Sequence, residues 1–272
     1  MNHNILKRIF KPKNSFTFSG KKMEEIVRKN RNSLKIASSW IDNEAFRNSY
    51  YNYGVPDNIK PLLDIDIGDG ITYSDLILYY SRHLNKINYL ELGVSVGKNF
   101  LQMAKGFENA SLTGFDIENI NPLIHNNFIF LNNETWASKP SSLRTEHSKL
   151  SNYYYQSNSI SYIAADIWDE NSWAKLEGNK FNIIFSDALH DAEALLWEYK
   201  MIDKYQLLDN EFLIVWDDLN NGLERSFYKI AESLKEQYNL QDKNVRLIKI
   251  NGWLGKNEIK HDVGFITNLV QL

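Results

Sequence analysis

Short apolar runs recur through the last two thirds of the chain, separated by stretches in which apolar residues return every three or four positions. Runs at residues 89–92, 111–115, 160–164, 181–185 and 212–215 predict strands. Helical spacing through Leu76, Ile77, Tyr80 and Leu84 predicts a helix that opens near Thr72, a good N-cap with Asp75 in the first turn, and stops before 85–88. Further helices are expected from a Gly-rich turn to about Gly106 and over 223–238. Residues 245–250 and 263–267 flank a loop and predict an antiparallel pair at the end of the sheet. Strands alternating with helices argue for an α/β fold, a parallel sheet with helices on both faces.

Two regions break the rhythm. Residues 1–70 are polar, rich in Asn and Lys and dotted with aromatics such as Tyr50, Tyr51 and Tyr53, and predict an appendage of short helices before a main domain over 71–272. More than forty residues lie between Asp116 and Ile160, longer than a helical crossover needs. This insertion, about 119–158, is expected to be a lid. Tyr153, Tyr154 and Tyr155 near its end are expected to pack down within a loop, the alternative being an acceptor pocket.

Composition narrows the function. The chain has 272 residues, 43% of them hydrophobic, enough for one large core. Its formal charge of -3 supplies no cationic field, so nucleic acid is not an expected partner. Cysteine is absent, which removes disulfides, thiolate metal sites and a cysteine nucleophile, and accords with a cytoplasmic location. The basic opening of the sequence lacks the apolar core of a secretory signal, and no run approaches the ~18 apolar residues of a membrane span. It is read as a flanking segment, and no membrane partner is expected.

The turn after the first strand, LELGVSVGKNF at 90–100, carries glycines at 93 and 97. Glycine lets backbone turn tightly and approach a ligand, and the following helix offers free N–H groups. The dinucleotide pattern G-x-G-x-x-G fits poorly, with Ser95 at its second position and Asn99 and Phe100 where the third glycine falls. The nucleophile-elbow pattern G-x-S-x-G fits literally, making Ser95 a candidate nucleophile, but an elbow belongs after several strands rather than the first.

The segment from Glu91 through Gly93 and Ser95 to Gly97 resembles the first motif of class I S-adenosylmethionine-dependent methyltransferases. The resemblance spans roughly residues 75–270. It implies a Rossmann-like, seven-stranded, mostly parallel sheet with an antiparallel last strand, and S-adenosylmethionine held by Glu91, Gly93, Ser95 and Gly97. By the same resemblance Asp116, ending the second strand, contacts the ribose, a diol that a carboxylate can accept from. Asp166, with Ile167 and Trp168 beside it, is similarly placed for adenine. In that fold the fourth strand lies beside the first and the fifth beside the fourth, so Asp187 and the pair Asp217 and Asp218 converge at ~4.8 Å strand spacing. Three clustered acids repel unless a cation joins them, and oxygen ligands select a hard ion, Mg²⁺ first, then Mn²⁺ or Ca²⁺.

Asp187-x-x-His190 followed by Asp217-Asp218 is similar to the metal-dependent O-methyltransferases of macrolide sugars and to the related cephalosporin-cluster and rhamnosyl enzymes. That likeness implies Asp187, Asp217 and Asp218 as metal ligands, with Asp187 and His190 catalytic and His190 the general base. A simpler reading makes His190 a first-turn residue of the helix beginning near Asp191. The chain departs from the pattern at Asp209-Asn210-Glu211, where Gly-Gly is common, and in its insertion. His83, His125, His147 and His261 are not grouped with acids along the sequence and are expected to be surface or core histidines, Trp197 and Tyr199 to pack, and Trp253 to close a hairpin. The expected function is O-methylation of a small, glycosylated or polyhydroxylated acceptor. Metal-free N- or O-methylation and a non-catalytic cofactor-binding role are the alternatives. An aromatic N-terminal appendage often mediates pairing, so a homo-oligomer is expected.

Overall fold

The computed structural model describes residues 19–39, 67–95, 97–121, 129–130, 149–252, 260–270 and 272. In chain order the helices are α1 (Gly20–Ser39), α2 (Tyr73–Ser81), α3 (Lys98–Gly106), α4 (Glu170–Trp173), α5 (Ala192–Lys204) and α6 (Leu223–Tyr238). The strands are β1 (Asn88–Leu92), β2 (Ser111–Asp116), β3 (Ile129–Phe130), β4 (Lys149–Tyr155), β5 (Asn158–Ala164), β6 (Phe181–Ser186), β7 (Leu208–Trp216), β8 (Val245–Asn251) and β9 (Lys260–Thr267).

They form one sheet in the order β3-β4-β5-β2-β1-β6-β7-β9-β8. The pairs joining β5, β2, β1, β6 and β7 are parallel. β9 runs antiparallel between β7 and β8. Order reverses at β1, from which the chain proceeds first to β2 and β5 and later to β6 and β7. Ligands in open α/β sheets bind outside the carboxyl ends at such a switch point.

Two apolar layers hold the sheet. Tyr89, Ile183, Phe185 and Val215 pack with Ile77, Phe100 and Met103 on one face. Leu90, Leu92, Ile184, Ile214 and Trp216 pack with Trp173, Leu195, Phe227 and Ile230 on the other. All of β6 is buried, as the unbroken apolar reading of a central parallel strand requires. α2 opens with the capping box expected at Thr72 and Asp75, and ends at Ser81, short of Leu84. α6 occupies 223–238 as its spacing predicts and closes on Asn239 in the left-handed region, φ 52°.

Two expectations are corrected. The sheet has nine strands rather than seven, because part of the insertion, β3 and β4, adds antiparallel to β5. Tyr153, Tyr154 and Tyr155 lie in β4 and not in a loop, with Tyr153 buried and Tyr154 exposed. His125, His147, Trp253 and most of the N-terminal appendage lie outside the described residues, as does most of the rest of the insertion. Among the described residues no helix is long and apolar enough to cross a membrane.

Candidate active site

The turn after β1 is built by backbone geometry. Gly93 (φ 80°) and Gly97 (φ 76°) occupy the left-handed region, as does Ser95 (φ 48°). Gly93 N–H donates to the Phe115 carbonyl at 2.8 Å, and Gly97 N–H to the Val94 carbonyl at 2.7 Å. Asp116 draws the turn inward, its Oδ2 accepting from Ser95 N–H at 2.7 Å and its Oδ1 from Glu118 N–H at 2.9 Å. Burial pushes the Asp116 carboxyl up, and these N–H groups oppose that rise. Asp116 therefore shapes the turn. A Ser95 nucleophile would need a histidine beside it, and His190 and His261 pair with Asp187 and Asp217 instead.

Glu91 is buried on the α3 side. Its Oε2 accepts from the Tyr89 hydroxyl at 2.5 Å and from Asn99 Nδ2 at 3.0 Å. Burial pushes its carboxyl well above the usual range, while those two bonds resist the rise.

Past β5, Asp166 is exposed and its Oδ1 accepts from Trp168 N–H at 2.9 Å. Ile167 is buried, and its carbonyl accepts from Trp173 Nε1 at 2.7 Å and Trp197 Nε1 at 2.6 Å. Trp168 is 43% exposed, its ring 5.9 Å from that of Trp197. An exposed indole beside an exposed carboxylate suits a flat heteroaromatic ligand.

The acids come together at the ends of β6 and β7. Asp187 N–H donates to the Leu92 carbonyl at 2.8 Å and Asp217 N–H to the Ser186 carbonyl at 3.0 Å, so each lies one step beyond the parallel ladder on one rim. Asp191 caps α5 by accepting from the Glu193 and Ala194 N–H groups, which sets His190 just before the helix. His190 Nε2 lies 2.9 Å from Asp187 Oδ1, and its Nδ1 lies 3.7 Å from Asp218 Oδ2. His261, at the start of β9, places Nδ1 at 2.8 Å from Asp217 Oδ2 and 3.1 Å from Asp218 Oδ1.

His261 thus corrects an expectation, being grouped with the acids rather than a bystander. Two imidazoles interleave three carboxylates, so the repulsion foreseen from sequence is already offset by protonatable groups. Hydrogen bonding to Asp187 and the charges of the three acids push His190 up to about 9 against the opposing effect of burial. Burial would lower His261, but its bonds to Asp217 and Asp218 prevail and push it up to about 11. Burial would raise Asp218, and the bond to His261 with the charges of both imidazoles holds it below the usual carboxylate range.

One ligand atom each from Asp217, Asp218 and His261 lie within 4.8 Å of one another, a donor set that fits a divalent cation. Asp187 stands outside that group, against His190. Other expected bystanders behave as read: His83 is exposed, and Trp197 and Tyr199 pack against the apolar layer below α5.

Glu198 of α5 lies beneath the rim and is fully buried, accepting from the Ser186 hydroxyl at 2.5 Å. Burial pushes it up to about 8 from an ordinary 4.5. Between those values the folded chain keeps a proton that the unfolded chain releases, so stability falls as pH rises through the window and levels off above it. Glu198→Gln, which cannot ionise, is expected to gain on the parent by about 3 kcal/mol between pH 5.5 and 8.5. Denaturant unfolding at both pH values checks this, and a pH-independent difference contradicts it.

The strands β5, β2, β1, β6, β7, β9 and β8 follow one another with only β9 reversed, and the glycine turn and the acids share the carboxyl rim. This is a Rossmann-like fold, with the strand order that the resemblance to class I methyltransferases implies.

No protein-family model matches the chain, and neither does a curated protein. Among solved structures it is similar to the MycE methyltransferase of the mycinamycin biosynthetic pathway in complex with Mg and SAH, at 16% identity over 71% of this chain and 46% of that one, TM-score 0.40. It is also similar to cofactor-bound Rv0187 from MTB, at 9% identity over 83% of this chain and 88% of that one, TM-score 0.44. A third likeness is to the plantazolicin methyltransferase BpumL in complex with SAH, at 14% identity over 90% of this chain and 99% of that one, TM-score 0.42. The chain spans about half the length of MycE.

Proposed function

We propose that this chain is an S-adenosylmethionine-dependent O-methyltransferase acting on a hydroxyl of a small, glycosylated or polyhydroxylated molecule. One observation carries the reading: the glycine turn and the acid–histidine cluster touch. A Cβ built on Gly93 would stand 2.3 Å from Ala188 Cα and 2.4 Å from the Asp187 carbonyl oxygen. A methyl donor held over the turn therefore faces the groups able to prepare an oxygen nucleophile.

Glu91, Gly93, Ser95, Gly97 and Asp116 form the cradle for the amino-acid and ribose parts of the donor, with Asp166, Ile167 and Trp168 at its adenine end. S-adenosylmethionine supplies an electrophilic methyl carbon. Transfer to a hydroxyl would require the acceptor oxygen in line with the C–S bond that breaks, so alignment is the main demand on these residues. His190, steered by Asp187, takes the hydroxyl proton. At about 9, a value set by the neighbouring carboxylates, it is protonated at neutral pH, and it gains its basic form as their charge is neutralised. Asp217, Asp218 and His261 would hold Mg²⁺ or a similar ion, which lowers the pKa of a bound hydroxyl. Asp187 completes the rim from the His190 side.

The interleaved imidazoles favour a second reading, metal-free methylation with Asp187 orienting the acceptor. Turnover insensitive to EDTA selects it. The cofactor assignment is tested separately. Asp116→Ala is expected to weaken S-adenosylhomocysteine binding by roughly tenfold to a hundredfold, the loss of a charged hydrogen-bonding partner. Isothermal titration measures this, and unchanged affinity contradicts the placement.

A further inference from the structure

The first turn of α2 is wired to three parts of the molecule at once. Asp75, fully buried, accepts at Oδ2 from Thr72 N–H at 2.8 Å and the Thr72 hydroxyl at 3.0 Å, closing the capping box. The same carboxylate receives Arg31 of α1, with Nη2 at 2.7 Å from Oδ2, and Asn30 Nδ2 at 2.6 Å from Oδ1. Arg31 also donates from Nε to the Gly68 carbonyl at 2.8 Å and from Nη2 to the Gly70 carbonyl at 2.6 Å. Its side chain is 3% exposed. An N3 carboxylate needs only its own cap, so a buried guanidinium shared with a distant helix is more than local capping requires.

The two residues between Thr72 and Asp75 reach both halves of the site. Tyr73 stacks on Phe185 with ring centroids 4.9 Å apart and an interplanar angle of 25°, and its ring lies 6.0 Å from that of His261. The Ser74 hydroxyl donates to Asn99 Oδ1 at 2.7 Å, and Asn99 Nδ2 in turn donates to Glu91. Thr72 bridges Asn251 of β8, whose Nδ2 donates to the Ile71 carbonyl at 3.0 Å.

We propose that Arg31 is a positioning residue of this site: by clamping Asp75 it fixes the turn from which Tyr73 supports His261 and Ser74 supports Glu91. The inference rests on the reading that Glu91 belongs to the cofactor cradle. It makes docking of α1 part of ligand binding, and the coupling is reciprocal, so a bound ligand tightens α1 in turn.

The test uses the full chain, with S-adenosylhomocysteine as the calorimetric probe and hydrogen exchange of the α1 amides as a second readout. Arg31→Met alone leaves the Asp75 charge buried without its partner and is expected to unfold the chain, so Arg31→Met/Asp75→Asn is measured beside it. The double variant is expected to fold, to bind S-adenosylhomocysteine roughly tenfold more weakly, and to lack the ligand-induced protection of α1 expected of the parent. Arg31→Lys is expected to recover part of the affinity. A double variant that melts earlier yet binds within about twofold of the parent overturns the proposal, showing Arg31 to be structural only. A parent chain that takes up no S-adenosylhomocysteine overturns the cofactor reading itself, and the inference with it.

Discussion

Gly93→Ala is expected to destabilise the chain by roughly 3 kcal/mol or more and to abolish S-adenosylhomocysteine binding in whatever remains folded. Gly93 has φ 80°, where an L side chain is strained. The new methyl group would also meet Ala188 Cα at 2.3 Å, Asp187 O at 2.4 Å and Ala188 N at 2.5 Å, all backbone atoms. A flexible side chain could swing away, but a backbone fixed by the 2.8 Å bond from Asp187 N–H to the Leu92 carbonyl cannot. Relief requires moving the segment that carries Asp187 and His190, so one methyl group damages the glycine turn and the acid cluster together. Gly222→Ala is the control. Gly222 shares a positive φ, 96°, but has nothing within 4 Å of its built Cβ, so it isolates conformational strain from the clash.

Asp217→Asn is expected to remove Mn²⁺ binding, a loss of a hundredfold or more on the order of 3 kcal/mol, and to lower stability by a similar amount. Asp217 is 3% exposed and uses both oxygens on His261 while Oδ1 also accepts from Asp218 N–H at 2.9 Å. An amide keeps one acceptor oxygen and carries no charge, so the His261 imidazolium keeps Asp218 and loses its other carboxylate. Electron paramagnetic resonance of free Mn²⁺ follows binding, and thermal unfolding follows stability. Loss of stability without any Mn²⁺ uptake by the parent chain contradicts the metal assignment and leaves the histidines as the acids' counter-charges among the described residues.

Much of this arrangement was legible from residue order. An apolar run that stops at Asp187 is a buried parallel strand reaching its carboxyl end, and all of β6 is buried. The Thr72 and Asp75 capping signal and the apolar spacing over 223–238 also name local physics, and the elements formed where that physics acts. β4 escaped because its pattern is inverted: Leu150 is exposed while Ser151 is buried, so alternation of hydrophobicity misreports the faces. Its partner β5 is anchored by Asn158, whose side chain accepts from Ala110 N–H and donates to the Ala104 and Phe107 carbonyls, a polar staple that no apolar period announces.

His261 was missed for a different reason. It lies 44 residues from Asp217 in the chain, and only antiparallel pairing of β9 with β7 brings the two together. The Leu219 N–H bond to the Asp262 carbonyl at 2.7 Å pins that end of β9 beside the acids. The sequence places the last strand in the sheet, and continuing its antiparallel register past Gly264, opposite Trp216, is the available signal. The role of Arg31 needed the structure outright, since α1 precedes the main domain and its partner Asp75 reads from sequence as a sufficient cap.

The central claim, a donor cradle formed by the glycine turn and Asp116 beside an acid–histidine cluster, is met most directly by titrating S-adenosylhomocysteine into the full chain, parent and Asp116→Ala, by calorimetry. Saturable one-to-one binding by the parent, weakened in the variant, is the predicted result. No heat of binding from a parent chain shown to be folded by its cooperative unfolding would contradict it.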